Sequence, residues 1–243
     1  IRDSQIINNE LILADLAIIE GAIEREKKKV KAIGKEAEFK IACLQRCEAQ
    51  LTTGNLLRHY AFSEEEELQI KDYNFITKKN MLYVLNVAES DFQNASELYK
   101  NVQDKLREQS EAFIPISAAL ESELIQLPST DQHAYLEQCG LTESGLSRLI
   151  QESFHLLKLQ VFFTAGPKES HAWVIKKGAL APTAAGKIHT DFEKGFIRAN
   201  IINYNQFIQL KSMKEAKQKG LLRQEGKDYC MEDGDIAEFL FNV

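Results

Sequence analysis

The chain has little cysteine, four residues in 243, which excludes a small disulfide-stapled scaffold. No run approaches the roughly 18 apolar residues that a membrane span needs. The opening IRDSQIINNE has neither a basic stretch nor a small-residue cleavage site, so it does not read as a secretory leader. Basic excess is also lacking. The net charge of −6 argues against a whole-chain coat for nucleic acid. Together these absences point to a soluble, reducing, cytoplasmic setting with no membrane partner.

What is present is ordinary globular composition, 44% hydrophobic and 27% charged, which excludes collagen-like, disordered and low-complexity classes. The length allows two modest domains. The first residue is Ile1. The expectation drawn from it is a removed leader or a start inside a larger protein. Charge is uneven. The stretch from Gln160 carries 12 basic against 10 acidic side chains, and the rest of the chain holds the acidic excess. That asymmetry suggests separate modules.

Ile12, Leu16, Ile19, Ile23 and Val30 recur at coiled-coil-like spacing. Gly34 interrupts them, and Ala37, Ile41, Leu44 and Leu51 resume the pattern. Two helices meeting near a glycine predict an antiparallel hairpin. Lysines crowd its turn, and Lys27, Lys28, Lys29 and Lys31 are candidate contacts for RNA or another acidic surface. Cys43 and Cys47 are four apart on the second helix, but two thiols are too few for a metal site and read as core. Ser63 with Glu66 reads as a capping box opening a helix.

The apolar runs MLYVLNV and AFIPISA flank the helical SELYKNVQDKLREQ, and predict a strand–helix–strand unit with parallel strands. Two helices are expected after Ala118, the second carrying Leu146, Leu149, Ile150, Phe154 and Leu157 on one face. From Phe162 onward glycines and prolines punctuate short strands, as in a small α+β domain. At the chain's end Ala237, Phe239, Phe241 and Val243 alternate with Glu238 and Asn242.

Ligands of open α/β sheets bind beyond the carboxyl ends of the strands. Here those ends carry Asn86-Val87-Ala88-Glu89 and Ser117-Ala118. In guanine-reading folds an N-K-x-D motif follows one strand and an S-A motif the next. The aspartate accepts two hydrogen bonds from guanine. Val87 and Glu89 replace the lysine and the aspartate, which weakens strict GTP specificity. Neither G-x-x-x-x-G-K-[ST] nor G-x-G-x-x-G occurs, so no complete phosphate site is present. No catalytic residue and no metal ligand set is assigned, and the five histidines are scattered.

The stretches IINNELILADLAIIEGAIER, NVAE, ISAALESEL, FFTAGPKESHAWVIKKGALAPTAAGKIHTDFEKGFIRAN and GKDYCMEDGDIAEFLFNV resemble the YchF-type Obg-like ATPases, over essentially all 243 residues. The resemblance implies an α/β plus α+β architecture. Residues 1–11 and 78–159 would be the remainder of a P-loop nucleotide-binding domain. Residues 12–77 would be an inserted antiparallel helical hairpin, and 160–243 a β-grasp TGS domain. It implies ATP hydrolysis in preference to GTP, with Mg²⁺, by proteins that associate with ribosomes. The large subunit and ribosomal or transfer RNA are the expected partners. Asn86, Val87, Glu89, Ser117 and Ala118 match the family's base-side positions. The family's P-loop and switch segments precede the point matching Ile1, so this chain is expected to be inactive alone and to hold no nucleotide tightly. The basic segment Lys211, Lys214, Lys217, Lys219 and Arg223 is consistent with an RNA-facing role.

Overall fold

A computed structural model describes residues 2–88, 112–166, 169–210 and 213–242; the side chains of residues 30–33 and 213–214 are outside the description. The chain divides into two compact units, Ile1–Gly145 and Leu146–Val243. The architecture is mixed α/β. No helix among the described residues is long and apolar enough to cross a membrane.

In the first unit, α1 (Arg2–Ile33) and α2 (Lys35–Thr52) fold back on one another across Gly34. Gly34 has φ +59°, a left-handed conformation that glycine adopts without strain. The predicted seam is the core: Ile12, Ile19, Ile23, Leu44 and Leu51 are buried, with Leu16 and Ile41 packed against them. Cys43 and Cys47 join this core as free thiols. Burial pushes the Cys47 thiol up to about 12, so it stays protonated and inert. The Ser63–Glu66 capping box opens α3 (Glu64–Ile70), and buried Glu66 also pairs with Arg46 of α2.

A carboxylate lies within this apolar seam. Asp15 of α1 is wholly buried and accepts hydrogen bonds from Ile76 N at 3.0 Å, Thr77 N at 2.7 Å and Thr77 Oγ1 at 2.6 Å. It thereby takes up donors at the start of the short 3-10 turn Ile76–Lys78, which has no side-chain cap from its own N-cap residue. The chain then enters β1 (Leu82–Asn86), whose Tyr83 hydroxyl donates to Asn8 Oδ1 of α1 at 3.2 Å.

β1 pairs in parallel with β2 (Ala112–Ile116), in the register Leu82↔Ala112 to Asn86↔Ile116. The helix expected between them lies outside the described residues. Two helices were expected after Ala118, but three are present: α4 (Ala118–Gln126), α5 (Ser129–Gln138) and α6 (Gly145–Leu156). Pro128 makes the difference. Leu127 before it is extended, with ψ 145°, which ends α4, and Pro128 itself is the N-cap of α5. On α6, Leu146 and Ile150 remain about half exposed.

The second unit is built on a five-stranded sheet of order β4-β3-β7-β5-β6. Its strands are β3 (Leu159–Ala165), β4 (Ser170–Lys176), β5 (Phe196–Asn203), β6 (Arg223–Glu225) and β7 (Asp235–Phe241). Only β3 and β7 run parallel. Phe162, Ile175, Ala199 and Ala237 form a core with α7 (Ala181–Ile188), while α8 (Thr190–Lys194) adds Phe192. Ile202, Ile236 and Phe163 form another core with α9 (Tyr204–Leu210) and with Ala216 of α10 (Met213–Gln218). His189-Thr190-Asp191 is a helix start: His189 Nδ1 accepts from Asp191 N at 3.2 Å. Phe192 stacks on Phe241 at 3.8 Å, so the alternation read at the chain's end is used in packing.

Replacing Asp15 with alanine leaves three donors without their acceptor and is expected to destabilise the fold by about 3 kcal/mol or more. Thr77→Val, which deletes one of the three, is expected to cost about 1 kcal/mol. Urea unfolding of both variants checks the order; equal losses would refute the shared-acceptor account.

Candidate nucleotide-base site and basic segments

The two parallel strands end side by side, and their next residues are tied together. Val87 N donates to Ile116 O at 2.9 Å, which extends the ladder one step past β1. Asn86 Oδ1 then accepts from Ala118 N at 3.1 Å, linking the two loops. Ser117 is buried and its Oγ accepts from Leu120 N at 3.4 Å, capping α4. Asn86, Val87, Ser117 and Ala118 are therefore brought together, while Glu89 lies outside the described residues. Glu121 of α4 accepts from Gly145 N at 2.6 Å. A Cβ at Gly145 would come within 3.1 Å of Ile116, so a glycine lets the chain approach the end of β2 closely.

Two adjacent strand ends with fixed backbone groups and one amide side chain can offer hydrogen-bond donors and acceptors to a planar polar ligand. Among the described residues no group of three or more His, Cys, Asp or Glu side chains could hold a metal ion.

The candidate basic residues differ in their surroundings. Lys27 and Lys28 are exposed on α1. Lys29 is held by Glu26 at 2.9 Å, and Glu26 is also 4.0 Å from Lys40 of α2. Lys31 and Lys214 have undescribed side chains, and Lys211 lies outside the described residues. Lys217 and Lys219 are exposed. Arg223 is engaged internally. It donates to Tyr229 Oη at 3.0 Å and stands 3.8 Å from both Glu225 and Asp235.

Asp235, which a reading of motifs missed, is wholly buried at the start of β7. Its Oδ2 accepts from Tyr229 Oη at 3.0 Å and Glu232 N at 2.9 Å, whereas its Oδ1 has no hydrogen bond. Burial raises its carboxyl above the ordinary value, against the lowering by those two bonds and by Arg223. Its signal in the sequence is an acid in the inward register it shares with Ala237 and Phe239.

Over 98% of its length the chain superposes on the structure of the Schizosaccharomyces pombe YchF GTPase, with a TM-score of 0.85 and 30% identity, covering 65% of that chain. The proteins named ribosome-binding ATPase YchF from Escherichia coli O157:H7 and Bacillus subtilis (strain 168) are 44% and 38% identical to it. These alignments cover 99% and 100% of this chain, and 66% and 67% of those proteins. Residues 159–242 match the family model YchF-GTPase_C, described as a protein of unknown function (DUF933). The chain belongs to the YchF family. It spans about two thirds of the length of these relatives.

A raised carboxyl has a defined pH consequence. The group contributes stability that is fully present below the unfolded carboxyl's value and is lost as pH rises through the raised folded value. The stability difference between wild type and Asp235→Asn is therefore expected to move in the variant's favour from pH 4 to pH 7. Denaturant titrations at each pH check this; a shift toward wild type would show that the carboxylate form is the favoured one.

Proposed function

We propose that this chain is the base-reading and partner-binding part of a P-loop nucleotide hydrolase that prefers ATP to GTP and works in association with the ribosome. The nucleotide and the ribosome are supported by the names of the relatives, ribosome-binding ATPases. The observation that carries the base-reading role is the Asn86–Ala118 bond, which couples the two strand-end loops where a base would lie. On this reading residues 1–11 and 78–159 belong to the nucleotide-binding domain. Residues 12–77 form an inserted helical hairpin, and 160–243 a β-grasp TGS domain.

The proposed chemistry divides between segments. Asn86 and Ser117 hold the loops through which Val87 and Ala118 would contact the base. Glu89 would stand where guanine-specific relatives of the fold place an aspartate, disfavouring guanine's two donors. Phosphate positioning, and the Mg²⁺ that such hydrolysis uses, are assigned to no residue described here. Hydrolysis by in-line attack of water needs positioning and electrostatics and no covalent intermediate. Cytoplasmic localisation and large-subunit binding belong to the same proposal.

A second reading is favoured by the exposure of Lys27, Lys28, Lys217 and Lys219. In it, the chain acts as a nucleotide-independent module that docks on RNA or protein.

The test is turnover of ATP and GTP side by side in a protein of the relatives' length carrying this segment. ATP is expected to be the better substrate. Val87→Lys with Glu89→Asp is expected to move the preference toward GTP by roughly ten- to hundredfold, the worth of one or two charge-assisted hydrogen bonds. A strong GTP preference in the unaltered protein would overturn the assignment of Glu89. Asn86→Ala, which removes the acceptor for Ala118 N, is expected to raise KM for ATP.

A further inference from the structure

β4 is an edge strand, bonded to β3 on one side only. Which of its backbone groups face outward follows from the register. Lys177 N donates to Lys158 O at 2.7 Å, and Gly166 N donates to Glu169 O at 2.9 Å. In an antiparallel pair the bonded positions alternate along each strand. His171, Trp173 and Ile175 therefore turn their backbone groups toward β3, whereas Ser170, Ala172, Val174 and Lys176 turn theirs toward the open edge. The N–H groups of these last residues have no partner among the described residues.

Edge strands are commonly blunted by a proline or a bulge. β4 has neither. Its seven residues pair with β3 without a break in register, and Val174 on its outer face is 43% exposed. The one charged residue within it, Lys176, stands at its end.

Charges flank the strand symmetrically. Glu169 precedes it and Lys177 follows it, each four residues from Trp173, so both share the Trp173 face. Both are exposed, and neither joins an ion pair among the described residues. Lys177 lies opposite Lys158 across the β3–β4 ladder, a like-charge pair that is unfavourable as it stands.

We infer that β4 pairs antiparallel with β4 of a second copy of this chain, about a twofold axis at Trp173, so that two sheets become one. Trp173 then faces its own counterpart, and Ala172 bonds to Val174 of the second copy through both backbone groups. Glu169 stands opposite Lys177 of the second copy, and symmetry repeats that pair. Trp173 and Glu169 fall at the non-bonded positions of the new ladder, where opposed side chains come closest. Moving the axis to Ala172 or to Val174 would keep the backbone bonding but set Glu169 against Ile175 or Ala179, and both charge pairs would be lost. The carboxylate of the second copy also relieves the repulsion between Lys177 and Lys158. This fit of the edge to itself, in one register, selects a second copy over an unrelated strand. The inference goes beyond the nucleotide and ribosome reading and does not rest on it.

The test is sedimentation velocity of the full 243-residue chain from micromolar to millimolar concentration, with intrinsic fluorescence alongside, because Trp173 is the sole tryptophan. A dimer is expected, and the emission should shift over the same concentration range. Glu169→Lys and Lys177→Glu each turn two attractive pairs into two like-charge pairs and should raise Kd roughly tenfold or more. The two changes together restore the pairing with its signs exchanged and should bring Kd back toward wild type. Val174→Pro removes an outward N–H, spares the bonds to β3 and should leave a monomer. Circular dichroism checks that each variant folds; where Val174→Pro does not, the charge exchange decides. A chain that stays monomeric at millimolar concentration overturns the inference and leaves the edge to a strand of another protein. A dimer whose Kd is indifferent to both charge reversals overturns it as well, since its interface then lies elsewhere.

Discussion

A single buried carboxylate organises the first unit. Asp15 sits in the apolar seam between α1 and α2, and its bonds to Ile76 and Thr77 fasten the returning chain to the first helix. Burying a charge is tolerable only when its lone pairs are satisfied, and here three donors supply them. Those donors come from 61 and 62 residues away in sequence, so the bonds form only when the helices and the 3-10 turn are all in place. Four residues after that turn β1 begins, and Tyr83 reaches back to Asn8 of the same helix. The helix pair and the strand that leads to Asn86 are thus fixed to one another by polar contacts at two levels of α1.

The second unit uses the same device differently. Asp235 opens the central strand β7, which has β3 on one side and β5 on the other. Its partners Tyr229 and Glu232 lie in the chain just before it, so the carboxylate shapes the approach to β7 rather than joining distant segments. At the far end of that strand the backbone closes over Gly195, where a Cβ would lie 2.0 Å from Asn242 O. No side chain could stand there without displacing the end of the sheet.

Much of this was legible in the sequence, for physical reasons. The seam of Ile12, Ile19, Ile23, Leu44 and Leu51 follows from helical period, and the parallel strands from short apolar runs. The Ser63–Glu66 box follows from capping chemistry. Asn86, Val87, Ser117 and Ala118 were marked by their place after consecutive strands, and the bond between Asn86 and Ala118 then joined them. The third helix after β2 was missed because the apolar spacing runs across Pro128, although the proline itself was the available signal. Asp15 and Asp235 were missed because an isolated acid is usually a solvated one. Each nevertheless occupies an apolar position in its own register, Asp15 three residues after Ile12 and four before Ile19. Arg223 looked like part of a basic surface because charge counts do not see Tyr229 folding back onto it.

The bond from Ala118 N to Asn86 Oδ1 also limits what Asn86 could say about a ligand. With its oxygen committed to the neighbouring loop, the carboxamide keeps two N–H donors, neither of them bonded among the described residues. Adenine and guanine both present the N7 acceptor to such a donor. Asn86 could therefore register a purine without distinguishing one purine from the other, and the choice between them would fall to residues further along the loop.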